Sequence, residues 1–159
     1  MKTNSLLSEQ LVTILNGGQA HMTFEDAVKN FPLERINDIF PNGTYSAWDL
    51  LEHIRITQED ILDFITNAKY KEKEWPKEYW PEKDKKATKK DWDESIKHYH
   101  ADLENLKKIV KNSQTDIYKN IAHGDGQTIL REILLVADHS SYHIGEFAIM
   151  RQVMQTWTK

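Results

Sequence analysis

The chain has 159 residues, a length that suits one domain over 1–159, and hydrophobic (39%) and charged (29%) shares that fit a folded chain and not a disordered one. It carries no cysteine, which excludes disulfides, zinc–thiolate sites and a catalytic thiol of its own. A formal net charge of -4 gives no basic excess to draw the protein to nucleic acid.

In chain order, Leu7, Leu11, Ile14 and Leu15 follow helical spacing and predict a first helix over 4–16, stopped by Asn16-Gly17-Gly18. Thr23 followed by Asp26 predicts a short helix start that ends near Pro32. Ser46 with Asp49 three residues on forms a capping-box pattern. It opens a second long helix over 46–67, with Leu50, Ile54, Thr57, Ile61 and Phe64 as its apolar stripe.

The segment 70–90 is rich in lysine and glutamate, which suits a solvated loop. Yet Trp75, Tyr79 and Trp80, beside Pro76 and Pro81, are too apolar to float free. Long loops of this kind often serve as functional lids, and aromatics that merely patch the core are the alternative. A third long helix over 89–112 shows Trp92, Ile96, Tyr99, Leu103, Leu106 and Val110 on one face. The fourth, over 128–156, opens at Thr128 and carries Leu130, Ile133, Leu134, Ala137, Ile144, Phe147 and Ala148. Strand alternation is lacking. The fold class expected is all-α, a four-helix bundle with long crossover connections, the first two being long enough to cross.

The last helix holds "VADHSSYHIGEF". His139 and His143, four apart, lie about 40° apart around the axis and one turn along it, so both imidazoles can aim at one point. Glu132, Val136, Glu146, Phe147 and Met150 continue that side of the helix. Buried ionisable groups are costly unless paired or metal-bound. His53, between Leu50 and Thr57, stands at the edge of the second helix's stripe and is a third imidazole able to meet the pair across the interior. Three neutral imidazoles suit a divalent metal ion, Zn²⁺, Ni²⁺ or Fe²⁺ first and Cu²⁺ or Co²⁺ next. They leave positions for water, the pattern of catalytic sites. The residues alone leave open the blander readings, an exposed histidine pair and a hydrogen-bonded core His53.

Glu146 lies one turn from His143 on the same face. It is the candidate catalytic residue, with three roles open: a further ligand, a general base, or a partner for an imidazole N–H. Asp138 falls on another face. Arg55 and Gln58 turn away from His53, and a surface or inter-subunit ion pair is the reading for Arg55. His98 and His100 point to different faces, His123 sits in a Gly-rich turn, and His21 lies in the first connection. The basic run Lys83, Lys85, Lys86, Lys89 and Lys90 is interrupted or flanked by Glu82, Asp84 and Asp91, so a solvated loop explains it.

Three segments, "SAWDLLEHIRITQEDILDF" (46–64), "WPKEYWP" (75–81) and "TILREILLVADHSSYHIGEFAIMRQ" (128–152), resemble the DinB-like superfamily, the DinB/YfiT-like metalloenzymes, over nearly the whole chain. That family places one metal-ligand histidine in its second helix and an H-x-x-x-H pair in its last, positions that fall on His53, His139 and His143. The resemblance implies a four-helix bundle with a divalent metal near one end, and a homodimer. It implies chemistry on a small-molecule substrate: thiol S-transfer with a low-molecular-weight thiol such as bacillithiol, mycothiol or glutathione, maleylpyruvate isomerisation, or metal-dependent hydrolysis. The alternative is a non-catalytic, metal-stabilised bundle serving as a dimeric stress or interaction protein. No segment approaches the ~20 apolar residues of a membrane span. The expected setting is cytoplasmic, with neither membrane nor nucleic acid as partner.

Overall fold

A computed structural model describes residues 5–157. The expected first helical residue, 4, lies outside that range. Five α-helices form: α1 Ser5–Asn16, α2 Phe24–Val28, α3 Ala47–Thr66, α4 Lys89–Lys111 and α5 Ile129–Met154, with short 3₁₀ turns at Leu33–Arg35 and Lys77–Tyr79. The chain is all-helical among the described residues, apart from two isolated bridges, Ile39 with Ser46 and Asn120 with Thr128. None of these helices is long and apolar enough to cross a membrane.

The helix starts follow from side-chain chemistry. Thr23–Asp26, Ser46–Asp49 and Thr88–Asp91 each form a reciprocal capping box. In each, the hydroxyl accepts the N3 amide and the aspartate accepts the N-cap amide, so two orphan donors are satisfied. Each cap contributes about 1 kcal/mol. Thr128 caps α5 by accepting from the Arg131 amide. Gly17 and Gly18, both at positive φ, turn the chain out of α1, and Gln155 ends α5 in the left-handed region.

α3 packs against α4 and α5, and α1 packs against the same two helices, while α2 leans on α5. The core between them holds Leu11, Leu50, Leu51, Ile54, Leu106, Val110, Ile133 and Phe147. Burying each such side chain stabilises the fold by roughly 1.5–3 kcal/mol. Two expected stripe members point outward instead. Ile14 is 46% exposed and Leu134 44% exposed. α1 buries a narrow face around Leu11 and Leu15, and Leu134 lies about 100° from Ile133 around α5.

The crossovers also differ from expectation. The first connection does join helices that are not principal neighbours, α1 and α3. The second, 67–88, joins the neighbours α3 and α4, and the crossover falls to the shorter third connection, 112–128. The length of 67–88 is spent on α3 itself: Tyr70 and Tyr79 both bond to Asp60, and Trp80 stacks on His53.

Candidate metal centre

His53, His139 and His143 come together, each offering a ring nitrogen within 4.8 Å of the others. α3 supplies the first and successive turns of α5 the other two. Ring centroids are 4.3 Å apart for His139 and His143, 4.7 Å for His53 and His143, and 5.0 Å for His53 and His139. His53 and His143 are buried, and His139 is half-buried.

Hydrogen bonds decide which nitrogens are free. His53 Nδ1–H donates to the Tyr79 carbonyl oxygen at 2.8 Å. His143 Nδ1–H donates to Glu146 Oε2 at 2.6 Å. In both rings Nε2 is left as a lone pair, the arrangement that outer partners impose on metal-binding histidines. His139 Nε2 stands 3.2 Å from His53 Nε2. Two ligands at about 2.0–2.1 Å in tetrahedral geometry lie about 3.4 Å apart, so this spacing fits a shared cation. A proton on His139 Nε2 would serve two of the nitrogens and leave His143 without a partner.

The electrostatics agree. Burial, with His143 and His53 adding to it, pulls the His139 imidazolium down to about 3. Burial likewise lowers His53, against the opposing pull of the Tyr79 carbonyl. Both rings are neutral near pH 7, as ligands must be. Glu146 is shared among three groups. Besides His143, it faces Tyr45, whose hydroxyl is pushed up to about 12 by burial and then by this carboxylate, and Tyr142, raised chiefly by it. The structure thus places Glu146 as partner to an imidazole N–H.

The aromatic segment lies directly on the site. Trp80 stacks on His53 at 4.1 Å with an interplanar angle of 4°, and Tyr45 leans on Trp80 at 5.6 Å. Trp80 and Tyr45 also line a cleft of about 1070 Å³ with Ser46, Asp49 and Pro76, a cleft whose lining does not include the three histidines. Trp75 stays 68% exposed, 6.4 Å from His53.

The remaining candidates lie elsewhere. Asp138 and His98 face solvent. His100 pairs with Glu25 of α2. His123 Nε2–H donates to the Phe64 carbonyl, and His21 Nδ1–H to that of Met22. Arg55 and Gln58 do turn away from His53. Arg55 pairs within the chain with Glu52 and Glu59, both at 2.7 Å, and Glu52 accepts from Ser95 of α4. Of these intrachain pairs, the one with Glu59, whose side chain is exposed, lies at the surface, in keeping with the surface ion pair expected for Arg55. Gln58, buried, donates to the Tyr99 carbonyl. The Tyr79 carbonyl, the Trp80 stack and Tyr45 went unread in the sequence, because contacts between loops and helices leave no periodic trace. Tyr142 was within reach, one turn before Glu146.

No curated protein and no solved structure matches the chain. The DinB superfamily model matches residues 18–147, a span that includes His53, His139 and His143. More than half of the chain is covered, and the chain belongs to the DinB superfamily.

Proposed function

We propose that this protein binds one divalent cation, zinc, nickel or iron(II), through His53, His139 and His143, and uses it as a metal-dependent enzyme on a small molecule. Thiol S-transfer or hydrolysis is the reaction class. The observation that carries the reading is the convergence of three imidazoles, two of them with Nδ1–H already committed to an outer partner. Three protein ligands leave coordination open, and a cation held there supplies Lewis-acid activation of a water or of a low-molecular-weight thiol. Superfamily membership supports the same reading, as does the arrangement of α1, α3, α4 and α5, which we read as a single-domain four-helix bundle.

The chain's own groups then have definite tasks. Glu146 holds the His143 ring by its Nδ1–H. Tyr45, kept protonated, gives its hydroxyl to the same Glu146 carboxylate and lines the cleft. Trp80 covers one face of His53 and limits water there. We further propose a homodimer, with the exposed row Tyr142, Ile149 and Val153 on α5 as its apolar face.

Elemental analysis of protein purified without added metal or a histidine tag tests the centre. About one metal per chain is expected, lost in His53→Ala and His139→Ala with helical circular dichroism retained. Unchanged stoichiometry in both variants would sink the assignment. In a cobalt-substituted sample, a spectral change on adding bacillithiol or glutathione supports S-transfer. Silence with every low-molecular-weight thiol points to hydrolysis. A metal that no small molecule perturbs points to a non-catalytic, metal-stabilised fold.

A further inference from the structure

Asp60 is a buried carboxylate on α3, two turns after His53 on the same side of the helix. Burying a charge is costly unless hydrogen bonds replace its water. Here they come from two hydroxyls of the 67–88 connection. Tyr79 Oη–H donates to Oδ2 at 2.7 Å, and Tyr70 Oη–H lies 3.2 Å from both carboxylate oxygens. The Tyr79 bond has the length of a charge-assisted one, stronger than a neutral bond, while the Tyr70 contacts are longer and divided between the two oxygens. Lys73 adds attraction.

The same Tyr79 whose hydroxyl Asp60 holds gives its carbonyl to His53 Nδ1–H. The next residue, Trp80, lies flat on the His53 ring. Asp60 and His53 are about 10 Å apart along the helix, and Tyr79 reaches both, its hydroxyl at Asp60 and its carbonyl at His53. One end of Tyr79 is thereby anchored to α3, and the other end meets the imidazole.

We propose that Asp60 is a positioning residue of the metal centre: by clamping the Tyr79 and Tyr70 hydroxyls it fixes the Tyr79 carbonyl on His53 Nδ1 and Trp80 on the His53 ring, so that His53 presents Nε2. The consequence for metal rests on the proposed function above; the consequence for the tautomer does not. Burial holds the Asp60 carboxyl above its ordinary value, with the two hydroxyls opposing that rise. A carboxylate kept there against its desolvation cost is accounted for by the clamp. A merely structural Asp60 would be replaceable without altering the proton on His53.

The test uses Asp60→Leu, Asp60→Asn and Tyr79→Phe in the full chain. Imidazole ¹⁵N NMR of metal-free protein reads the His53 tautomer, and zinc competition with a chelator reads affinity. The wild type is expected to hold Nδ1–H alone. Asp60→Leu and Tyr79→Phe should give mixed tautomers and a zinc Kd raised roughly 10- to 100-fold. Asp60→Asn, which still accepts the Tyr79 hydroxyl, should stay near wild type. Should Asp60→Leu fail to fold, Tyr79→Phe carries the test, since it removes one hydroxyl from a half-buried side chain. A His53 ring that keeps Nδ1–H in every folded variant overturns the proposal. Wild-type protein that binds no zinc, with a tautomer that still follows Asp60, upholds the clamp and removes the metal reading instead.

Discussion

Glu146 Oε2 accepts the His143 Nδ1–H at 2.6 Å, within one turn of α5. The contact fixes the ring and raises the basicity of Nε2. Outer partners of this kind are worth roughly 10- to 100-fold in metal affinity. Glu146→Ala should therefore raise the zinc Kd by about that factor, with Glu146→Gln in between, because an amide oxygen still accepts the N–H. Chelator competition measures it. Equal affinity in wild type and Glu146→Ala would show that the carboxylate does not tune the ring.

Trp80 lies flat on the His53 ring, 4.1 Å from it. Trp80→Ala removes a ring from one face of the ligand and should leave the equilibrium metal content near wild type. The rate of metal release to excess chelator should rise several-fold. Stopped-flow release with a chromogenic chelator reads this directly. A release rate equal to wild type would assign Trp80 to packing alone.

The sequence was most informative where local chemistry acts alone. Ser46 with Asp49, and Thr23 with Asp26, announce helix starts because a capping box is complete within four residues. His139 and His143 were legible as a pair because helical geometry fixes their relation. His53 needed packing as well, and its family position supplied what periodicity could not. Asp60 was in plain view as an acid beside Ile61 on a buried stripe, but its meaning depends on two tyrosines 10 and 19 residues away. Leu134 and Ile14 misled because apolar residues can sit at a helical interval and still fall outside the narrow face that packs.

Arg151 shows a buried cation used as a bracket. Its Nη1 donates to the carbonyls of Ala27 and Lys29 at 2.9 and 2.8 Å, and its Nη2 to that of Thr156 at 2.9 Å. Its guanidinium also lies 4.1 Å from the centre of the Trp157 ring. Arg151→Met keeps the stem and strands these carbonyls, at about 1–3 kcal/mol for each left unsatisfied. A loss of about 2–5 kcal/mol is expected after partial relaxation. Urea unfolding checks it, and metal stoichiometry in the folded variant should not change. A variant as stable as wild type would mean that water or backbone movement replaces the arginine.

Acid should weaken the metal-free fold through His139. Its folded value is pulled to about 3, below the ordinary imidazole value near 6.5, so between those limits the unfolded chain binds the extra proton. Stability then falls as pH drops below about 6.5, and the loss from this residue continues until about 3. His53 is lowered in the same direction and adds to the slope. Urea midpoints measured with chelator present, from pH 8 to 4.5, should decline more steeply in wild type than in His139→Gln, which has no proton to gain. The variant should keep a residual slope from His53. Bound metal, which requires the deprotonated rings, should raise the whole curve and lose its advantage as acid releases it. Identical pH profiles for wild type and His139→Gln would show that His139 is solvated enough to titrate normally.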